Sequence, residues 1–179
     1  MVHRDAKPRS VRIREARAED AAPLIVLFQT LYSETTFLLF EPGESVPSLE
    51  HYAKRITELA QAESGVMFVA ESGGALIGVI FGNRGIAKRT GHSLYLVLGV
   101  VQVHWNRGVG RSLLESAEAW ATKRQLHRLE LTVQTANARA IALYEKVGFV
   151  REGTKRHSLK IEGRYVDELL MSKLIDVGL

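Results

Sequence analysis

Apolar and polar residues alternate through VRIREA at 11–16, the period of a half-buried strand. The next stretch, AEDAAPLIVLFQTLYSE, places acids in a first turn and brings Leu24, Leu27, Phe28 and Leu31 onto one face. That spacing predicts an amphipathic helix, with Pro23 tolerated near its start. A loop with two prolines follows at 38–48, and Ser48 is placed to cap a second helix, LEHYAKRITELAQAES. VMFVAES and ALIGVIFGN, separated by Gly73 and Gly74, predict two strands joined by a tight hairpin.

The middle of the chain reads differently. SLYLVLGVVQV, at 93–103, is almost wholly apolar and too short to cross a bilayer, which predicts a central strand covered on both faces. Gly99 within it marks a bulge or the close approach of another group. HWNRGVGRSLLESAEAW then predicts a loop running into a helix that ends near Gln125. Val109, Leu113, Leu114, Ala117, Trp120 and Ala121 form its apolar stripe. HRLELTVQ predicts a strand, NARAIALYEKV a helix stopped by Gly148, and 149–175 a final pair of strands. Strand, helix and strand across 93–133 form a right-handed crossover, and the ending is antiparallel. The expectation is one α/β domain over 11–176 on a mixed sheet, preceded by a flexible basic tail at 1–10.

Composition narrows the class. The chain has 179 residues, 46% hydrophobic and 25% charged, with a net charge of +4 and no cysteine. No disulfide, thiolate metal site or cysteine nucleophile is available, which fits a reducing cytoplasm. No run of about 18 apolar residues predicts a membrane span, and the charged start lacks the apolar segment of a secretory signal. The histidines show no metal-ligand spacing, so no metal is expected. The excess of positive charge suits an anionic ligand. Aromatic platforms and a groove-reading helix are missing, which argues against a nucleic-acid binder.

The loop at 105–110 carries the first chemistry. Helix N-termini present unpaired N–H groups with partial positive charge, and Gly108 and Gly110 let an anion approach them. The dinucleotide fingerprint fails at Leu113, where its third glycine belongs, and no phosphate-binding G-x-x-x-x-G-K-[ST] occurs. Some 27 residues after Gly110 comes NARAIALYEKVGF. This N-x-x-A-x-x-x-Y-x-x-x-G-F run, behind a strand that follows the glycine-loop helix, resembles the GNAT superfamily of acyl-CoA-dependent N-acetyltransferases. The likeness extends from Val11 to Ile175. VVQVHWNRGVGRSLL resembles that family's Q/R-x-x-G-x-G/A pyrophosphate motif, with Trp105 at the Q/R position.

The resemblance implies a mostly antiparallel mixed sheet, splayed at its middle strands beside a bulged central strand and flanked by helices on both faces. Acetyl-CoA then lies in the gap. Backbone groups of Leu98, Gly99, Val100 and Val101 would meet its pantetheine and thioester. The amides of Arg107, Gly108, Val109, Gly110, Arg111 and Ser112 would meet the pyrophosphate. Asn137 is either an N-cap, a hydrogen-bond partner of the cofactor, or both. Tyr144, which shares a face with Ala140, Ile141 and Val147, is a core residue by period alone and the group beside the thioester sulfur by resemblance. A phenol at pKa ~10 facing a thiol at ~8.5 gives up its proton uphill by about 2 kcal/mol, so hydrogen bonding to the thiolate is its alternative role.

The nucleophile would be the acceptor's own primary amine, on a small molecule or a protein N-terminus. At pH 7 an amine of pKa ~10.4 is neutral in about one molecule in 2500, so a carboxylate is expected to help remove its proton. Glu130 leads the candidates, against a plain role at the sheet margin; Glu34 and Glu41 stand behind it. Acceptor choice is assigned to 33–48, to 84–92 with its Arg84, Lys88 and Arg89, and to the final hairpin. TTFLLF at 35–40 is a candidate dimer contact, leaving monomer or homodimer. The other reading is a catalytically silent acyl-CoA-binding regulatory domain.

Overall fold

Seven strands and four helices follow the predicted order in the computed structural model, which describes residues 10–178 apart from 46 and 62. They are β1 (Arg12–Glu15), α1 (Ala21–Glu34), α2 (Leu49–Gln61), β2 (Gly65–Ser72), β3 (Ala75–Arg84), β4 (Ser93–Val100), α3 (Val109–Lys123), β5 (Arg128–Gln134), α4 (Ala138–Lys146), β6 (Val150–Ile161) and β7 (Arg164–Leu174). The basic tail expected at 1–10 lies outside the described residues apart from Ser10.

One mixed sheet runs β1-β2-β3-β4-β5-β7-β6. Every neighbouring pair is antiparallel except β4 and β5. That parallel pair is short: Ser93, Leu94 and Tyr95 face Arg128, Leu129 and Glu130, and there the pairing stops. Both strands continue, β4 still paired with β3 and β5 still paired with β7. The sheet therefore forks beyond Tyr95, as the resemblance implied.

Helices cover both faces. A Cβ at Gly99 would meet Leu31 of α1, whereas one at Gly78 would meet Leu113 of α3, and these glycines belong to neighbouring register pairs on opposite faces. The stripe of α3 predicted from its period is buried in full. Ser48 caps α2 by accepting from the His51 amide at 3.2 Å. Gly73 and Gly74 take φ of 60° and 81°, the left-handed pair a two-residue hairpin of this twist requires.

Of the two readings of Gly99, the structure bears out the close approach of another group. Gly99 does not mark a bulge, because 78–84 pair with 94–100 without a break. The absent side chain admits Leu31 instead: a Cβ would lie 2.6 Å from Leu31 Cδ1.

Asp20, predicted only as a first-turn acid, is buried. Its carboxylate accepts two Arg14 N–H groups at 2.7 and 2.8 Å and the Arg17 amide at 2.7 Å, while Arg14 also reaches Glu71 of β2 at 3.1 Å. The Arg14 hydrogen bonds outweigh burial and hold the Asp20 carboxyl below the usual carboxylate range. This cluster ties the entry of α1 to β1 and β2. We expect Asp20→Ala to cost about 3 kcal/mol in urea unfolding at pH 7, since it strands a part-buried arginine. With the folded-state value depressed, the carboxylate's contribution is complete above about pH 4 and is lost as pH falls through that value. The variant should lack that acid-dependent loss; an equal loss in both proteins would show that the cluster carries none of it.

Candidate active site

The fork encloses a cavity of about 820 Å³, the size of a cofactor site. β4 supplies one wall from Tyr95 to Val100, and Thr132 and Val133 of β5 begin the other. The start of α3 and the inner face of α4 close one end, Phe37, Leu38 and Leu39 form a roof, and Lys155, Ser158, Leu159 and Glu168 close the far end.

Along β4 the backbone groups are spent unequally. Val101 donates its N–H to Ile77 of β3 at 3.0 Å. Alternation in an antiparallel ladder then turns Gly99 toward β3 as well, and turns the N–H and C=O of Leu98 and Val100 toward the open side. Of the four residues proposed for a backbone-binding role, Leu98 and Val100 are thus the two with groups facing the cavity. The Val100 carbonyl already accepts the Trp105 indole N–H at 2.6 Å.

At the α3 end, Gly108 adopts φ 81° as N-cap, a conformation that favours glycine. The amides of Gly108, Val109, Gly110 and Arg111 are the unpaired group of this helix start, and all four residues line the cavity. Two members of the expected set fall outside it. Ser112 has donated its N–H to the Gly108 carbonyl at 3.0 Å, and Arg107 is exposed and not part of the lining. Gly110 lets the helix start settle on α4, since a Cβ there would stand 3.0 Å from Leu143 Cδ2. Arg111 lines the cavity while its Nε donates to Glu115 at 2.7 Å.

Asn137 caps α4, its Oδ1 accepting from Ala140 at 3.2 Å, and it also lines the cavity. Among the described residues its Nδ2 donates to none. Two positions on, Arg139 lies flat over Trp105, 3.0 Å from the ring centroid, and burial lowers its pKa. The sequence reading passed over this residue. The signal was available: an arginine in the first turn of a helix opposes the helix dipole, which invites an anion or a stacking partner.

Tyr144 is 7% exposed, tilts against Phe149 at 5.8 Å, and reaches the cavity between the forked strands. Burial, with Tyr95 adding to it, pushes its phenol well above the ordinary value. Among the described residues its hydroxyl makes no hydrogen bond. Tyr95 bridges the two arms just past their last pair, its hydroxyl 2.8 Å from Thr132 Oγ1.

The expected carboxylates lie elsewhere. Glu130 does not line the cavity; its carboxylate accepts from Arg128 at 2.7 Å, and Arg128 continues to Glu152. Glu34 accepts the Gln102 amide at 2.8 Å, while Gln102 Nε2 donates to the Glu34 carbonyl at 2.8 Å. Glu41 sits in an exposed turn. Arg84, Lys88 and Arg89 are absent from the lining, because the 85–92 loop enters β4 at the closed end of the fork. Phe37, Leu38 and Leu39, within the TTFLLF stretch, line the cavity as a roof. Gln134 Nε2 holds that roof by donating to the Thr36 carbonyl at 2.7 Å.

Residues 28–149 match the model of the Acetyltransferase (GNAT) family. The chain belongs to the GNAT family. It superposes on the acetyltransferase of the GNAT family from Streptococcus pneumoniae with a TM-score of 0.89 and 34% identity, covering 93% of this chain and 99% of that one. The yncA structure from Salmonella typhimurium, solved with its cofactor acetyl-CoA, shares the fold at a TM-score of 0.83 and 18% identity over 93% and 95% of the two chains. In sequence, the chain is 40% identical over 80 residues to the L-amino acid N-acetyltransferase AaaT of Escherichia coli K12. That stretch spans 41% of this chain and 47% of the relative, just under half its length.

In this GNAT chain Trp105, at the Q/R position of the motif, donates its indole N–H to the Val100 carbonyl and lies under Arg139. Trp105→Phe keeps the stack and removes the N–H. We expect it to cost about 1 kcal/mol in urea unfolding, the usual worth of one such hydrogen bond. A change within ~0.3 kcal/mol would mean that the carbonyl finds another donor.

Proposed function

We propose that this chain transfers an acetyl group from acetyl-CoA to a primary amine by direct attack of that amine on the thioester. The observation that carries the reading is the fork itself: the Leu98 backbone groups and the Val100 N–H are left open in a cavity lined both by the unpartnered hydroxyl of Tyr144 and by the open amides of α3. The cavity fits the cofactor. Arg111, Arg139, Lys146 and Lys155 face it against Glu168 as the only carboxylate among the described residues that line it, a balance suited to a diphosphate. Leu98 and Val100 would pair with the pantetheine arm as a strand would, and Gly108, Val109, Gly110 and Arg111 would hold the diphosphate. Bound there, acetyl-CoA supplies an activated acyl group, and the chain's task is to place it and its acceptor.

Tyr144 takes the role of hydrogen-bond donor to the leaving sulfur. Burial raises its pKa, so the gap to a thiol of ~8.5 is wider than the 2 kcal/mol of the free phenol, and the tyrosine keeps its proton. Its value lies in a neutral O–H held at the point where negative charge develops. Glu130, paired with Arg128 outside the cavity, takes no direct part, and the ammonium proton leaves through water at the open mouth.

Three measurements test this. Calorimetry with coenzyme A should show binding, weakened about tenfold in Arg139→Ala by loss of a charge-assisted contact; absence of binding to the native chain would end the proposal. Thiol release from acetyl-CoA with an amine panel should show turnover, where a silent binding domain would give none. Tyr144→Phe should lower kcat roughly 10- to 1000-fold with coenzyme A affinity unchanged, whereas Glu130→Gln should stay within about threefold of the native kcat/KM.

A further inference from the structure

The far end of the cavity is shaped by an irregularity in the last hairpin. Lys155 pairs with Glu168 and Leu159 with Val166, so three residues of β6 stand against Asp167 alone. The excess is looped out and pinned, since Asp167 Oδ1 accepts the His157 amide at 2.7 Å and His157 takes φ 51°. Such bulges re-aim side chains. Lys155 is the direct cross-strand partner of Glu168, and Ser158, from the irregular stretch, lines the cavity with both.

Glu168 is 9% exposed and accepts from Lys155 Nζ at 3.2 Å. Burial raises its carboxyl, but hydrogen bonds from Thr132 and Ser158 and the Lys155 contact outweigh it, so the group stays ionised at neutral pH. Thr132 is also the residue bridged to Tyr95. Glu168, Thr132, Tyr95 and Tyr144 all line the same cavity. Lys155 is 45% exposed, so the pair is open on its lysine side. Phe37, Leu38 and Leu159 supply apolar walls nearby.

We propose that Glu168 and Lys155 seat a zwitterionic acceptor, an α-amino acid with an apolar side chain. Glu168 receives the ammonium, Lys155 the carboxylate one carbon away, and the side chain lies against the apolar walls. The assignment rests on the acetyltransferase reading above. Competing acceptors fit less well. A polyamine would bring a second ammonium, rather than a carboxylate, to Lys155. A peptide N-terminus brings no adjacent carboxylate, leaving Lys155 without a ligand. An ionised carboxylate lining the cavity is an ion-pair partner for the amine, which makes Glu168 a specificity-determining contact.

The test is acetylation kinetics with L-leucine, L-leucinamide, spermidine and an alanine-starting peptide, alongside calorimetry with coenzyme A. L-leucine should exceed L-leucinamide at least 50-fold in kcat/KM. Glu168→Gln should lower kcat/KM for L-leucine about 100-fold, chiefly through KM, with coenzyme A affinity within threefold of native. Lys155→Met should bring L-leucine down to the level of L-leucinamide. Equal use of L-leucinamide, spermidine or the peptide would overturn the proposal, as would a Glu168→Gln variant within threefold of native. Coenzyme A binding with no acetylation of L-leucine sinks this inference alone. No coenzyme A binding removes the acetyltransferase reading and this inference together.

Discussion

The parallel pairing of β4 with β5 lasts for three residues, and every property of the site follows from its ending at Tyr95 and Glu130. A ladder continued to Val100 would consume the outward groups of Leu98 and Val100 and leave no cavity. Interrupting a central sheet leaves backbone polar groups without partners in a half-buried place, a cost the fold sustains only where something else satisfies them. Trp105 satisfies one from within the chain, and the Tyr95–Thr132 bridge holds the arms where they part. The remainder is the binding capacity of the protein.

Charge is distributed along the cavity to match. The end formed by α3 and α4 gathers helix amides, Arg111 and Arg139, whereas the hairpin end holds the paired Glu168 and Lys155. One end is suited to a strong anion and the other is close to neutral. The proposed order of cofactor and acceptor along the fork rests on this difference between its ends.

Local patterning made most of this fold readable. The stripe of α3, the Gly73–Gly74 hairpin and the Ser48 cap each depend on residues a few positions apart, so their periods appear directly in the chain. Tyr144 was different: period placed it in a core, and the likeness of NARAIALYEKVGF to a known family gave it a role. Glu168 escaped notice because its meaning arises from register. It is brought opposite Gln134 by β5–β7 pairing and opposite Lys155 by β6–β7 pairing. The surroundings of Glu130 were hidden for the same reason. Alternation put it on the face shared with Thr132 and Gln134, but Arg128, two residues back on that face, claims its carboxylate.

The two glutamine contacts of the roof have a mechanical consequence. Gln102, just beyond β4, is fastened to Glu34, and Gln134, the last residue of β5, is fastened to Thr36. The two arms are thus tethered through a length of chain only two peptide units long, which even fully stretched reaches about 7 Å. That short piece of backbone after α1 is a shared anchor for the ends of β4 and β5.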